Sequence, residues 1–166
     1  MSHAAFEPEA HSEAPTAMYR FGLPGRIQTP NSRPRAIALL ALGARGAAIL
    51  GRVNSDDFRI LSMHDSEGGA LAGDIEAIRA HADKLHKTLA GADMLFMVAG
   101  LGDDVSLAPA IKRVGDSMNV PVTGLFIAPA DAPAAEALST LRSSVEMLVI
   151  AADEEYVSTM LTMLGR

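Results

Sequence analysis

From Arg35 onward the chain alternates short apolar runs with longer segments whose apolar residues recur at helical spacing. The runs are "AIALLAL" (36–42), "FRILSM" (58–63), "MLFMVA" (94–99), "VTGLFIA" (122–128) and "EMLVIA" (146–151). Such short, near-continuous runs read as strands of a parallel sheet buried on both faces. Helical patterns separate them: "GARGAAILGRV", residues 74–90, residues 106–118, the segment after Pro133 and the segment from Asp153. In residues 74–90, Ile75, Ile78, Ala82, Leu85 and Leu89 share one face, Asp74 stands at the N-cap position, and Gly91 stands where a helix ends. Strand followed by helix, repeated along the chain, predicts a three-layer α/β/α domain with a Rossmann-like parallel sheet of about five strands. Right-handed crossovers put loops 42–46, 63–73, 99–106 and 128–133 on one edge of that sheet, where such folds bind ligands.

Residues 1–34 break the pattern. "MSHAAFEPEAHSEAPTA" is polar, acidic and proline-bearing, the composition of a disordered lead-in. The next stretch carries Met18, Tyr19, Phe21, Leu23 and Ile27 among prolines, glycines and arginines. It is too interrupted to bury them in a regular helix, so it either docks on its own domain or on a neighbouring copy or is a floppy tail; docking is the expectation taken further. The simplest such assembly is a homodimer held through the extension.

Composition narrows the function classes. Of 166 residues, 49% are hydrophobic and 20% charged, as in an ordinary globular domain. Net charge is −6; residues 1–35 hold three acids and four bases, so the remainder carries −7. That balance argues against nucleic acid or an anionic membrane surface as partner. With no cysteine, thiol catalysis, disulfides and Cys-ligated metals are excluded. No apolar run approaches membrane-spanning length and the start lacks a signal-peptide pattern, so a cytoplasmic protein is expected.

Candidate chemistry lies in the loops. "LGARGAA" is a Gly-x-x-Gly turn opening a helix, without G-x-G-x-x-G spacing or the Lys-Ser/Thr pair of a P-loop. "MVAGLGDDV" delivers a strand to Gly100 and Gly102 as a phosphate loop would, but Asp103 and Asp104 follow. "SMHDSEGG" offers His64, Asp65 and Glu67 at a strand end, either a small metal or acid–base site or solvated loop residues. His81 and His86 share a helix but sit five apart, on diverging faces. A receiver-type site needs an acid pair after the first strand; that position reads Leu42-Gly43-Ala44.

One long stretch resembles the tubulin/FtsZ family's GTPase domain. "GADMLFMVAGLGDDVSLAPAIKRVGDSMNVPVTGLFIAP" is similar to its Gly-Ala-Asp strand, Ala-Gly-x-Gly loop, Ala-Pro helix and Val-Thr-Gly strand. "LSTLRSSVEMLVIAADEEY" is similar to its Leu-x-x-x-Val-Asp-x-Leu-Ile-Val-Ile-Pro-Asn-Asp segment. "ALGARGAAILGRV" resembles the first phosphate loop, with Gly43 and Gly46 on its glycines and Arg52 on a frequent arginine. The three segments are collinear over residues 36–157, with a shortened region between the second and third strands.

The departures bear on activity. The resemblance implies a loop Ala-Gly-x-Gly-Gly-Gly-Thr-Gly-Thr-Gly whose amides hold phosphates; here Gly100 and Gly102 remain, and Asp103, Asp104, Val105 and Ser106 replace the rest. A carboxylate ~4 Å from a phosphate costs ~4 kcal/mol at an effective dielectric near 20. Ala47 and Ala48 stand on the first loop's paired asparagines, and Ala152 on the base-proximal asparagine. The family's acidic catalytic loop comes later than Arg166, and its second domain has no counterpart in these residues. The resemblance therefore implies a vestigial nucleotide site of Gly43, Gly46, Gly100, Gly102, Asp103 and Asp104, with no cofactor. The expected role is a non-catalytic assembly or protein-interaction module with an unidentified protein partner. Two other readings are open. One is a divergent nucleotide-binding protein or weak GTPase taking GTP with Mg²⁺ on Asp103 or Asp104. The other is a small-ligand or metal enzyme built on His64, Asp65 and Asp103.

Overall fold

The computed structural model describes residues 35–63 and 75–164, less the side chains of 75–80. The extension 1–34, the His64, Asp65 and Glu67 cluster, the Asp74 cap and the Ile75 and Ile78 side chains lie outside what is described. The elements run β1 (Ile37–Ala41), α1 (Ala44–Leu50), a 3₁₀ turn (Ser55–Asp57), β2 (Phe58–Ser62), α2 (Ile75–Leu89) and β3 (Met94–Gly100). They continue with α3 (Ala108–Ser117), β4 (Val122–Ile127), α4 (Ala135–Ser144), β5 (Met147–Ala151) and α5 (Glu154–Leu164). The strands form one five-stranded sheet in the order β2-β1-β3-β4-β5. Every pairing is parallel, with Ile37 opposite both Phe58 and Met94, Leu95 opposite Val122, and Thr123 opposite Met147. This is the α/β, doubly wound architecture the sequence pattern predicts.

Alternation along the strands divides the core into two layers. Ile37, Leu39 and Ala41 pack with Ile49 and Leu50 of α1 and Val157 and Leu161 of α5. Ala38, Leu40 and Leu42 pack on the other face with Leu85 and Leu89 of α2, Ile111 of α3 and Leu141 of α4. Crossovers of one hand require this division: the chain moves outward from β1 to β2, then returns past β1 to β3, so the covering helix changes face. At Gly91, φ is +71°, a left-handed turn that ends α2 and that glycine enters without a Cβ penalty.

Burial of strands on both faces holds for β1, β3 and β4 but not at the edges. β2 leaves Arg59 and Ile60 exposed, and β5 leaves Met147 and Ile150 exposed. An edge strand has one neighbour, and the covering helices centre on the strands between. The third helix starts at Ala108 rather than residue 106. Ser106 N–H is taken by the Asp104 carboxylate at 2.8 Å in a side-chain turn, and Pro109 then sits in the helix's first turn, where a missing N–H costs nothing.

Acids placed just before strands clamp the opposite, N-terminal end of the sheet. Asp93 N–H donates to Ala36 C=O at 2.7 Å, while Ala36 N–H donates to Asp93 Oδ2 at 2.8 Å. Glu146 repeats the arrangement before β5: its N–H donates to Val122 C=O at 3.0 Å, and Val122 N–H donates to Glu146 Oε2 at 2.7 Å.

Candidate functional site

In this strand order β1 and β3 are neighbours whose chains leave toward opposite sides, which makes the crevice beyond their C-terminal ends the expected ligand site. The β1–α1 and β3–α3 loops border it: Gly43, Gly102, Asp103 and Asp104 lie in them, Gly46 in the first turn of α1 and Gly100 at the end of β3. The topology thus gathers all six candidates on one edge.

The crevice is occupied by the protein's own carboxylate. Arg45 N–H donates to Asp103 Oδ1 at 3.0 Å, Gly46 N–H donates to Asp103 Oδ2 at 2.8 Å, and Gly100 N–H donates to the same oxygen at 2.9 Å. Arg45 and Gly46 lie in the first turn of α1, whose amides have no partner within the helix. Asp103 therefore meets the donors that a phosphate would use, and its negative charge suits the positive end of the helix. Its backbone turns to reach them: Asp103 N–H donates to Gly100 C=O at 3.0 Å, and Gly102 is left-handed at φ +91°.

The other glycines fit the same arrangement. A Cβ at Gly43 would overlap the Asp103 carboxylate, and one at Gly46 would overlap the Val98 carbonyl oxygen. That carbonyl already accepts Leu42 N–H at 3.0 Å, so β3 has no room to retreat. A Cβ at Gly100 would stand 2.6 Å from Arg45 Cβ. These contacts hold the two loops against each other with Asp103 between them.

Asp104 closes the Ser106 turn and, together with Asp103, lines a cleft of about 350 Å³ between the β3–α3 loop and α4, with Phe126 among its walls and Glu136 and Thr140 on the α4 side. Among the described residues no lysine or arginine lines this cleft, so no described base there offsets its carboxylates. The two neighbouring acids thus have separate jobs, one in the crevice and one at the head of α3. Among the described residues no group of three or more His, Asp or Glu is placed to hold a metal ion.

The bases near the crevice point to α5. Arg45 Nη1 lies 3.6 Å from Glu154 Oε1, and Arg52 Nη1 lies 3.1 Å from Glu154 Oε2. Both arginines are more than half exposed, so these pairs add little stability. Ala152, on the position the resemblance gives to a base-contacting asparagine, is exposed and apolar. His86 is exposed on α2, its Nδ1 2.8 Å from the Ala82 carbonyl.

Sequence reasoning missed the second polar cluster, at the other end of the sheet. Lys112 of α3 reaches Glu146 at 2.8 Å and also contacts Asp116 one turn on. Hydrogen bonds to Asp116 and then Glu146 raise the lysine's pKa above 10.5. For Glu146, burial pushes upward, but the hydrogen bonds from Lys112 and the Val122 amide outweigh it and leave its pKa below 4.5. The Lys112–Asp116 spacing of four was visible in the sequence; the Glu146 contact needed the fold.

No protein-family model matches the chain, and no curated protein matches it. Among solved structures it is similar to the CMP N-glycosidase of Clostridium botulinum, at 8% identity over 76% of this chain and 98% of that one, with a TM-score of 0.43. It is also similar to a protein of Burkholderia pseudomallei described as pilus assembly-related, at 15% identity over 83% and 95%, with a TM-score of 0.41. The receiver domain of a Francisella response regulator matches at 14% identity over 79% and 97%, with a TM-score of 0.41. Likenesses this distant carry no functional implication. No helix among the described residues is long and apolar enough to cross a membrane.

Proposed function

We propose that this chain is a degenerate relative of the tubulin/FtsZ GTPase domain, acting in the cytoplasm as a non-catalytic assembly or protein-interaction module. In this reading Gly43, Gly46, Gly100, Gly102, Asp103 and Asp104 are the remains of a nucleotide site. The observation that carries it is the seat of Asp103: one carboxylate accepts the three amides of the crevice, from Arg45, Gly46 and Gly100. A nucleotide phosphate would have to displace that carboxylate and then sit beside it. Charge-assisted hydrogen bonds are worth about 1.5–3 kcal/mol each. Displaced, the carboxylate's three bonds pass to the phosphate, and the repulsion that remains, ~4 kcal/mol at ~4 Å and an effective dielectric near 20, removes about three powers of ten from its affinity. Among the described residues, the cleft beside the crevice supplies no base to offset the loss. What a domain of this kind retains is its surface.

Isothermal titration of the full chain with GTP, with and without Mg²⁺, tests the proposal. No binding is expected at nucleotide concentrations of tens of micromolar. Low-micromolar binding that requires Mg²⁺ would overturn it in favour of a metal-assisted nucleotide site.

A further inference from the structure

The two open edges of the sheet are built differently. β2 carries Arg59 as its second residue, with Nη1 donating to the Thr88 carbonyl at 3.3 Å and to the Ala90 carbonyl. A charge within an edge strand is a common guard. β5 reads Met-Leu-Val-Ile-Ala, with no charge and no proline, and no described strand pairs with its outer side. Met147 is 61% exposed and Ile150 49%.

Met147 lies on the sheet face that α5 covers and Ile150 on the other face with Leu148; on the Met147 side the apolar surface continues onto α5. Val157 and Leu161 of that helix enter the core, while Glu154 turns toward Arg45 and Arg52, which marks the flank facing α1. At about 100° per residue, Tyr156, Met160 and Met163 fall on the opposite flank, the one beside the open edge of β5. Tyr156 is 60% exposed and Met163 69%, and both line a shallow apolar groove with Met160.

We infer that this edge seats a second copy of the chain, joined by antiparallel pairing of β5 with β5 about a two-fold axis. The strand is complementary to itself in that arrangement. Centred on Val149, it sets Met147 opposite Ala151 and Leu148 opposite Ile150. Glu146 then falls opposite Ala152 and Asp153 opposite Val145, so in a chain of net charge −6 no acid of this segment meets another. Parallel pairing in register would instead set Glu146 beside Glu146 and would not close. Met147, Ile150, Tyr156, Met163 and the neighbouring Leu164 are 41–69% exposed. Five large side chains so exposed carry on the order of 500–600 Å², the greater part of the about 800 Å² that each partner of a standard interface buries. A two-fold interface of this sort is closed, so association stops at the dimer.

The inference gives a surface to the assembly reading and stands without it. A dimer that binds nucleotide would remove that reading and keep this surface; a monomer would do the reverse. The test is sedimentation equilibrium of the full chain from micromolar to hundreds of micromolar. The expected species is a dimer. Met147→Lys with Ile150→Lys should raise its dissociation constant at least tenfold, with the far-ultraviolet circular dichroism unchanged. Tyr156→Lys with Met163→Lys alters the α5 flank alone, so it tests the surface even if the strand variant fails to fold, and it too should weaken the dimer at least tenfold. Ile60→Lys on the β2 edge should leave the dimer intact. A monomer throughout the range overturns the inference. So does a dimer that survives the α5 pair of substitutions, or one lost on deleting residues 1–30 while untouched by them.

Discussion

Removing the Asp103 carboxylate strands three amides, and their surroundings set the cost. Gly46 and Gly100 are buried, so water replaces their lost acceptor poorly, while Arg45 is exposed and finds water readily. Asp103→Ala should therefore lower stability by about 2–4 kcal/mol. Asp103→Asn should recover more than half of that, because its carbonyl oxygen can keep the Gly46 and Gly100 amides and its nitrogen opposes a donor only at exposed Arg45; urea unfolding of both variants checks this. The glycines around it should differ sharply. Gly46→Ala drives a methyl group into the Val98 carbonyl and should cost about 2–4 kcal/mol. Gly102→Ala meets nothing within 4 Å and has only its φ of +91° against it, for about 1–2 kcal/mol. Equal losses in the two variants would show that the β1–α1 loop is not held against β3 as described. All six candidates could be singled out from the sequence, but what Asp103 does in the crevice could not. Its partners Arg45 and Gly46 lie 58 and 57 positions away. Read along the chain, an acid after a glycine turn is a charge that repels phosphate; in space it is the anion already bound.

Elements show where periodicity carries information and where it stops. The five strands were legible because apolar runs bounded by glycine, proline and acid have few other uses. Edge and centre were not distinguishable in β5, since "EMLVIA" is as apolar as "MLFMVA"; only the strand order separates them. The same limit hid the clamps. Asp93 and Glu146 look like polar residues ending loops, yet each fastens the start of its own strand to the start of a neighbouring one. The Glu146 clamp has a pH consequence. Its folded pKa lies below 4.5, so its contribution is complete above the unfolded value and is lost as pH falls through the folded one. Lys112, raised above 10.5, contributes below its unfolded value and loses that contribution only as pH rises through the folded one. The urea midpoint of the native chain should thus exceed that of Glu146→Gln at neutral pH, and the gap should close in acid below pH 4.5. A gap that is constant from neutral pH into acid would show that the carboxylate's charge contributes nothing to the clamp.

At the scale of the whole molecule, folding and binding share one equilibrium, which allows the state of the crevice to be read from unfolding. A ligand that binds only the folded chain stabilises it by about 2.7 kcal/mol at a hundred times its dissociation constant, roughly 10 °C for a domain of this length. The native chain has its crevice filled from within, so millimolar GTP should leave its melting temperature unchanged, with or without Mg²⁺. Replacing Asp103 and Asp104 by glycine should act in two directions. The variant loses the bonds that tie the β1–α1 loop to the β3–α3 loop and melts earlier without ligand. Its freed amides at the start of α1 and at Gly100 then meet phosphate without an opposing carboxylate, so GTP should return part of the lost stability. The native chain, with those donors taken, has nothing to gain. If the acids serve instead to hold Mg²⁺ beside a nucleotide, the signs reverse: GTP with Mg²⁺ raises the native melting temperature and does nothing for the variant. Thermal unfolding of the two chains, each alone, with GTP and with GTP and Mg²⁺, separates a self-filled crevice from a metal-dependent one, because the two reverse which chain responds.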